Sequence, residues 1–450
     1  MSVLSDLALF VGVLTAWSVA MYFFSRTQAF QRWNLGLSLF ILMVRTVRGR
    51  EMLDRVAQRR RFWRGFGELS IGLVLIAMAG ITALLAWEAT IVWQLDLSQA
   101  PRAELLLGIP GLNPVIPLGY GIFGLAIAIV LHEFAHGILS CVSNVKIQSL
   151  GLLFVIFPIG AFVEPDEAQM RAMPRRERMR LYAVGPATNL LLAGIFFLSF
   201  SLLLMPAAVP YHQGAGLTYV EDAGPAGMAG ISEGWIVTSI NNTTVSGKAD
   251  LQRALRATEA NRTNVPVTAC YREACWNLTV NLSWNRDLGT GETYGRLGVL
   301  GSDTTDVYSP LGADGDPGRG ALLFIALPVA GTQEPGLMPV GYPRTEFYRI
   351  SGPWAALPPE LFWVLVSGSY FLFWLNLMLG ATNALPAVPL DGGYLFRDGL
   401  HGLLQRLRPA MPEERREKGV RWTSYAVSLI ILALIVWQFA GPYVKAWLTN

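Results

Sequence analysis

Six long apolar runs govern what this chain can fold into: Leu4–Phe24, Glu68–Trp93, Pro117–Val142, Leu181–Met205, Leu361–Thr382 and Trp422–Ala440. A helix needs about 20 apolar residues to cross a bilayer core, and each run is of that order. The composition agrees: 52% hydrophobic and 15% charged residues, with a mean hydropathy of +0.40. Basic residues then set direction. Arg26 to Arg64 supply ten arginines between the first two runs, whereas Gln94 to Ile116 hold only Arg102. Lys146 and Arg171 to Arg180 follow the third run, and Arg397 to Arg421 follow the fifth. Cytoplasmic connections carry the positive excess, so the pattern predicts an α-helical polytopic membrane protein of about six transmembrane helices with both termini outside. Asp6 and the lack of a basic leader make the first run a retained helix rather than a signal peptide. A net charge of +3 is too small to suggest nucleic acid as a partner.

Inside the third run lies L-H-E-F-A-H-G, Leu131 to Gly137. On a helix, His132 and His136 leave one face a turn apart, so both imidazoles can bind one zinc with Glu133 beside them as general base. Ionisable groups at membrane depth cost roughly 3 kcal/mol each without partners. The helix runs inward, which places these residues in the membrane but nearer the cytoplasmic face. A catalytic zinc keeps three protein ligands and one open position. The fifth run ends in N-A-L-P-A-V-P-L-D-G-G, Asn383 to Gly393, where prolines stop the helix and glycines permit a tight turn. Asp391 is the expected third ligand; its other reading is a cap on the helix that follows. V-G-P-A-T-N, Val184 to Asn189, opens the fourth run, and Asn189 is costly in lipid. Its amide suits either an oxyanion or a hydrogen bond between two helices.

Three connections carry further signals. Lys146–Val163 is β-branched and aromatic, punctuated by Gly151, Pro158 and Gly160. It reads as a re-entrant β-hairpin dipping toward the site, with a free edge for a substrate strand. The apolar segment Leu35–Val47 is too short to span and is interrupted by Arg45, so it fits a re-entrant or interfacial element. Arg48–Phe66, with Phe62, Trp63 and Phe66 among its arginines, suits a helix lying on an anionic surface.

Ala207 to Leu357 is rich in Gly, Thr, Asn and Asp and reads as a small α+β domain. Its strands are expected at Leu217–Val220, Trp235–Val245, Val265–Tyr271, Trp276–Trp284 and Arg296–Leu300, with helices at Pro225–Ala229 and Lys248–Ala257. The stretch G-P-A-G-M-A-G-I-S-E-G-W-I-V-T-S-I-N-N, then K-A-D-L-Q-R-A-L, resembles PDZ domains, with Trp235 in place of the usual acidic residue. That resemblance implies capture of an extended peptide or free C-terminus by strand addition. Five N-x-S/T sequons, at Asn241, Asn242, Asn261, Asn277 and Asn281, fit an outward-facing domain. Cys270 and Cys275 would form a disulfide there, or remain two thiols. Gly301–Pro353 reads as an irregular return to the membrane.

H-E-x-x-H in a membrane helix, G-P-x-x-N in the next, a PDZ-like insert and N-x-x-P-x-x-x-L-D-G together resemble the site-2 protease family of intramembrane zinc metalloproteases. G-A-F-V-E-P-D-E (Gly160–Glu167), P-G-L-N-P (Pro110–Pro114) and R-x-R-F-W-R (Arg59–Arg64) look most like its archaeal members. The resemblance implies that His132, His136 and Asp391 bind one Zn2+, that Glu133 is the base, and that Asn189 assists the intermediate. It also implies regulated intramembrane proteolysis, with membrane-bound anti-sigma or transcription factors as typical substrates. Residues 1–206 then form an N-terminal membrane part, 207–357 the extracytoplasmic insert, and 358–450 the C-terminal membrane part. Glu164, Asp166 and Glu167 read as a solvated turn, and His212 and His401 as ordinary loop or interfacial histidines. The rival readings are a non-catalytic scaffold that binds peptides through the insert and, less favoured, a transporter, for which no inverted repeat is visible.

Overall fold

The computed structural model describes residues 3–33, 35–38, 41–95, 110–111, 113, 115–155, 157–286, 291, 293–304, 318, 320–322, 324–325 and 341–449. The expected contributions of Arg102 and Pro114 lie outside them. The chain forms two compact units: Met1–Leu112, Gly121–Gly194 and Leu372–Asn450 in the first, Asn113–Tyr120 and Ile195–Phe371 in the second.

The helices in chain order are α1 (Val3–Ser25), α2 (Gln28–Arg32), α3 (Arg50–Ala57), α4 (Arg60–Val92), α5 (Leu118–Val142), α6 (Glu167–Ala172), α7 (Arg175–Leu198), α8 (Pro225–Met228), α9 (Lys248–Arg256), α10 (Pro359–Asn383), α11 (Asp391–Leu407) and α12 (Glu413–Thr449). Among the described residues five helices are long and apolar enough to cross a membrane: α4, α5, α7 with its continuation to Ala207, α10 and α12. The first apolar run forms α1, 23 residues in length, about 34 Å at the helical rise. The protein is therefore a multi-pass membrane protein. Its long helices overrun the apolar segments. α4 starts at Arg60, α7 at Arg175 and α12 at Glu413, because Arg, Glu and Lys extend a helix readily into water. In consequence G-P-A-T-N does not open its helix; Gly185 and Pro186 lie inside α7.

In the first unit β1 (Leu35–Ser38), β2 (Ile41–Thr46), β3 (Ile147–Val155) and β4 (Phe157–Pro165) form an antiparallel sheet in that order. The expected hairpin is present as β3 and β4, but it is half of a larger sheet. Leu35–Val47 is itself a hairpin, and β2 covers one side of β3 through Val44↔Leu152 and Arg45↔Gly151. The two apolar stretches solve each other's edge problem. Gly151 permits the fit, since a Cβ there would sit 2.3 Å from the Val44 carbonyl oxygen and 2.5 Å from the Phe162 ring. β4 remains an edge of the sheet among the described residues. The arginine-rich stretch after β2 splits into α3 and the start of α4. Its Leu53 and Ala57 are buried with Ala135, Leu139, Leu150, Leu181 and Val184, and Trp63 and Phe66 pack on that cluster. Part of the apolar side expected to face lipid is taken up by protein, while Met52, Val56 and Phe62 stay exposed.

The second unit contains the short strand β5 (Ala208–Pro210) and is built on an antiparallel sheet ordered β10-β9-β7-β6-β13, with β8 paired to β7. These strands are β6 (Ala215–Val220), β7 (Ile236–Ile240), β8 (Thr243–Thr244), β9 (Val265–Tyr271), β10 (Ala274–Val280) and β13 (Val299–Asp303). α9 contributes Leu251 and Ala254 to their core, beside Leu217, Val237, Ile240 and Val267. The expected strand Trp276–Trp284 is broken between β10 and a separate hairpin, β11 (Ser283–Arg286) with β12 (Thr293–Arg296). Cys270 and Cys275 are disulfide-bonded across the β9–β10 register.

Candidate metal centre

His132 and His136 leave the same face of α5, and their Nε2 atoms lie 3.2 Å apart. Asp391 Oδ2 stands 3.0 Å from the first and 3.2 Å from the second. These three donor atoms converge on one point, as ligands of a single ion must, and they are a group that can hold a metal. Two imidazoles and a carboxylate suit zinc, and three protein donors leave a fourth position free.

The surrounding chain fixes each donor. His136 Nδ1 lies 2.8 Å from the Leu181 carbonyl. That carbonyl can only accept, so Nδ1 carries the hydrogen and Nε2 keeps its lone pair for the site. Asp391 is the first residue of α11, and no side chain caps that helix. The carboxylate is turned to the histidines, so the capping alternative is not what the chain adopts. Between α10 and α11 the backbone turns through a cis Val388–Pro389 bond. Gly392 and Gly393 then press against it. A Cβ on Gly392 would lie 2.3 Å from the Ala384 carbonyl oxygen, and one on Gly393 would lie 2.4 Å from the Ala387 carbonyl carbon. The pair of glycines is the condition for Asp391 to reach the site.

Gly185 does the same from α7. A Cβ there would stand 2.3 Å from His136 Nε2 and 2.5 Å from His132 Nε2, within the space an ion would use. One turn on, the fully buried Asn189 places Nδ2 3.1 Å from His132 Nδ1. Its Oδ1 has no partner among the described residues. Glu133 accepts a hydrogen bond from the Val163 amide of β4 at 3.0 Å. That amide faces away from β3, so Glu133 occupies part of the sheet's outer edge. A cavity of about 360 Å3 joins His132, Glu133, His136, Val163, Tyr182 and Asp391.

The remaining candidates fall elsewhere. Glu164 accepts from the Ser149 hydroxyl. Asp166 caps α6 through the Gln169 amide at 3.0 Å, which holds its carboxyl below the usual range, and Glu167 pairs with Arg171. His401 is buried inside α11, 2.8 Å from Glu413, rather than in a loop. His212 lies beside the disulfide, 3.6 Å from Cys275 Sγ. The sequence did not reveal what Gly185, the Leu181 carbonyl or the Val163 amide do. Only Gly185 left a trace, as a member of V-G-P-A-T-N. The Arg178–Asp398 pair, bidentate at 2.8 and 3.0 Å, was also unforeseen; it ties the start of α7 to α11.

The sequence profile of peptidase family M50 matches residues 120–431. An uncharacterised protein of Methanocaldococcus jannaschii is 20% identical over 88% of this chain and 87% of its own length. Regulator of sigma-W protease RasP of Bacillus subtilis is 25% identical over 61% of this chain and 62% of its own. Zinc metalloprotease RasP of Shouchella clausii is 21% identical over 62% of this chain and 63% of its own. The profile spans most of the chain and contains every donor of the convergent site, so the protein belongs to peptidase family M50, the site-2 proteases, and is a zinc metalloprotease.

Proposed function

We propose that this chain hydrolyses peptide bonds in or near the transmembrane segments of membrane-anchored substrates, with His132, His136 and Asp391 as zinc ligands and Glu133 as base. The convergence of three donors beside a carboxylate that can move a proton carries the reading. When bound, zinc supplies a Lewis acid for the scissile carbonyl and the attacking water. Glu133 takes a proton from that water and returns it to the leaving amine. With His132 holding the ion through Nε2, its Nδ1 bears the hydrogen. The Asn189 amide then turns its oxygen to it, a half-turn that exchanges Oδ1 and Nδ2. The contact supports Asn189 as the residue that orients His132, more directly than as an oxyanion donor.

A substrate helix must unwind before attack, because its carbonyls are bonded within the helix. The outer edge of β4 is suited to hold the unwound strand by pairing. The basic connections support a cytoplasmic placing of the site, with both termini and the insert outside. The divisions 1–206, 207–357 and 358–450 follow from that topology. We assign the insert a PDZ-like role, admitting substrates whose outer domain has been trimmed. The name of the Bacillus subtilis relative, a regulator of sigma-W, supports a membrane-anchored anti-sigma or transcription factor as the natural substrate.

The test is cleavage of a single-span substrate in detergent by the wild type and by Glu133→Gln, with zinc measured on both. Cleavage by the wild type alone, at equal zinc, supports the reading. Cleavage by both would remove Glu133 from the chemistry. Equal zinc with no cleavage of several such substrates would favour the scaffold.

A further inference from the structure

The second unit holds another set of metal-ligating side chains. His212 Nε2, Cys270 Sγ and Cys275 Sγ all lie within 4.8 Å of one another. They come from separate parts of the unit: His212 from the segment before β6, the cysteines from facing positions of β9 and β10. The His212 segment is anchored, since its carbonyl accepts from the buried Thr304 hydroxyl at 3.0 Å. Cys275 is exposed and open to a reductant, whereas Cys270 is 1% exposed and faces the Thr238 hydroxyl at 4.0 Å. The bond closes a short loop that the β9–β10 ladder already holds in register, so it adds little restriction to the unfolded chain.

We propose that this trio is a redox-gated site for a thiophilic divalent cation, zinc foremost, closed while the disulfide is intact and opened by a dithiol. In the opening step the dithiol supplies two electrons and two protons. The Sγ–Sγ bond breaks, Cys270 and Cys275 become thiols, and the dithiol closes to its own disulfide. Cation binding then displaces both thiol protons to solvent. Two thiolates, one imidazole and an open fourth position form a tetrahedral donor set in which donor atoms stand roughly 3.4 to 3.8 Å apart. The His212–Cys275 separation of 3.6 Å falls in that range before any adjustment.

Cobalt(II) titration of the full chain in detergent tests this without recourse to cleavage. The disulfide is first reduced by a trialkylphosphine, which is then removed. The metal centre on α5 and α11 has no sulfur and Cys141 is a free thiol in both states, so a thiolate-to-cobalt charge-transfer band that appears only on reduction reports the new site. The band is expected for the reduced protein, absent for the oxidised one, lost again on reoxidation, and absent in Cys275→Ser. His212→Ala keeps the disulfide and should weaken cobalt binding to the reduced protein by tenfold or more. No band in the reduced wild type overturns the proposal. So does reduction that unfolds the unit, shown by new protease cuts between residues 208 and 304. An unchanged affinity in His212→Ala overturns the assignment of the imidazole.

Discussion

Among the described residues, two groups of three metal-ligating side chains include histidine, and the two are built by opposite means. At the metal centre of the first unit, two donors come from a single helix turn, so their proximity is set by α-helical geometry before the chain folds. At His212, Cys270 and Cys275 only the cysteines are near in sequence, and the imidazole arrives through tertiary structure. The first cluster is crowded by Gly185, which admits no side chain, and Gly392 fits closely against the turn that delivers Asp391. The second is held by a strand ladder and opens to solvent at Cys275. A site made by local geometry leaves a motif; a site made by long-range contact leaves none.

The sharpest way to break this contrast is at Glu133. Glu133→Gln should lower cleavage by about 10^2 to 10^4, the range of a lost proton-transfer group, with zinc content unchanged by atomic absorption. If zinc falls in parallel, Glu133 belongs to the scaffold of the cluster and the division of labour fails. Next comes the glycine cradle. Gly185→Ala places a methyl group 2.3 Å from His136 Nε2, so the purified variant should lose its zinc while its far-ultraviolet spectrum stays helical. Retention of full zinc would show that α7 can withdraw. Asn189 follows, where two substitutions separate two roles. Asn189→Leu should weaken zinc binding by about 10 to 100-fold, as loss of a partner behind a ligand does. Asn189→Asp, which accepts but does not donate, should keep zinc and most activity if the residue orients His132, and should lose activity alone if it donates to an oxyanion. The smallest effect is expected at the sheet. Ala161 shares its edge with Val163, and Ala161→Pro removes one outward amide at a place where edge strands tolerate proline. Cleavage should fall several-fold with zinc unaltered; undiminished cleavage would remove strand pairing from the mechanism.

What the sequence made legible follows the same line. Helix spacing exposed His132 and His136, and the broken L-D-G-G backbone exposed Asp391, because each leaves a period or a breaker in the chain. The β3–β4 hairpin was readable from Gly151, Pro158 and Gly160. Its partner was not, since Leu35–Val47 is more than 100 residues distant and its apolar residues fit several environments equally well. Helix starts were misplaced for a related reason. Hydropathy marks where lipid begins, and the helices at Arg60, Arg175 and Glu413 begin before it. Backbone partners such as the Leu181 carbonyl carry no residue signature at all.

The contact between Val163 and Glu133 sets up a competition. One amide hydrogen has two claimants, the carboxylate that holds it now and any peptide strand that comes to lie along β4. Both cannot own it. A strand that docks there must evict Glu133, and the eviction frees the carboxylate just when a peptide bond is within reach. If Glu133 is the base and substrate pairs with β4, as proposed above, the resting protein keeps that base engaged and the arrival of substrate releases it.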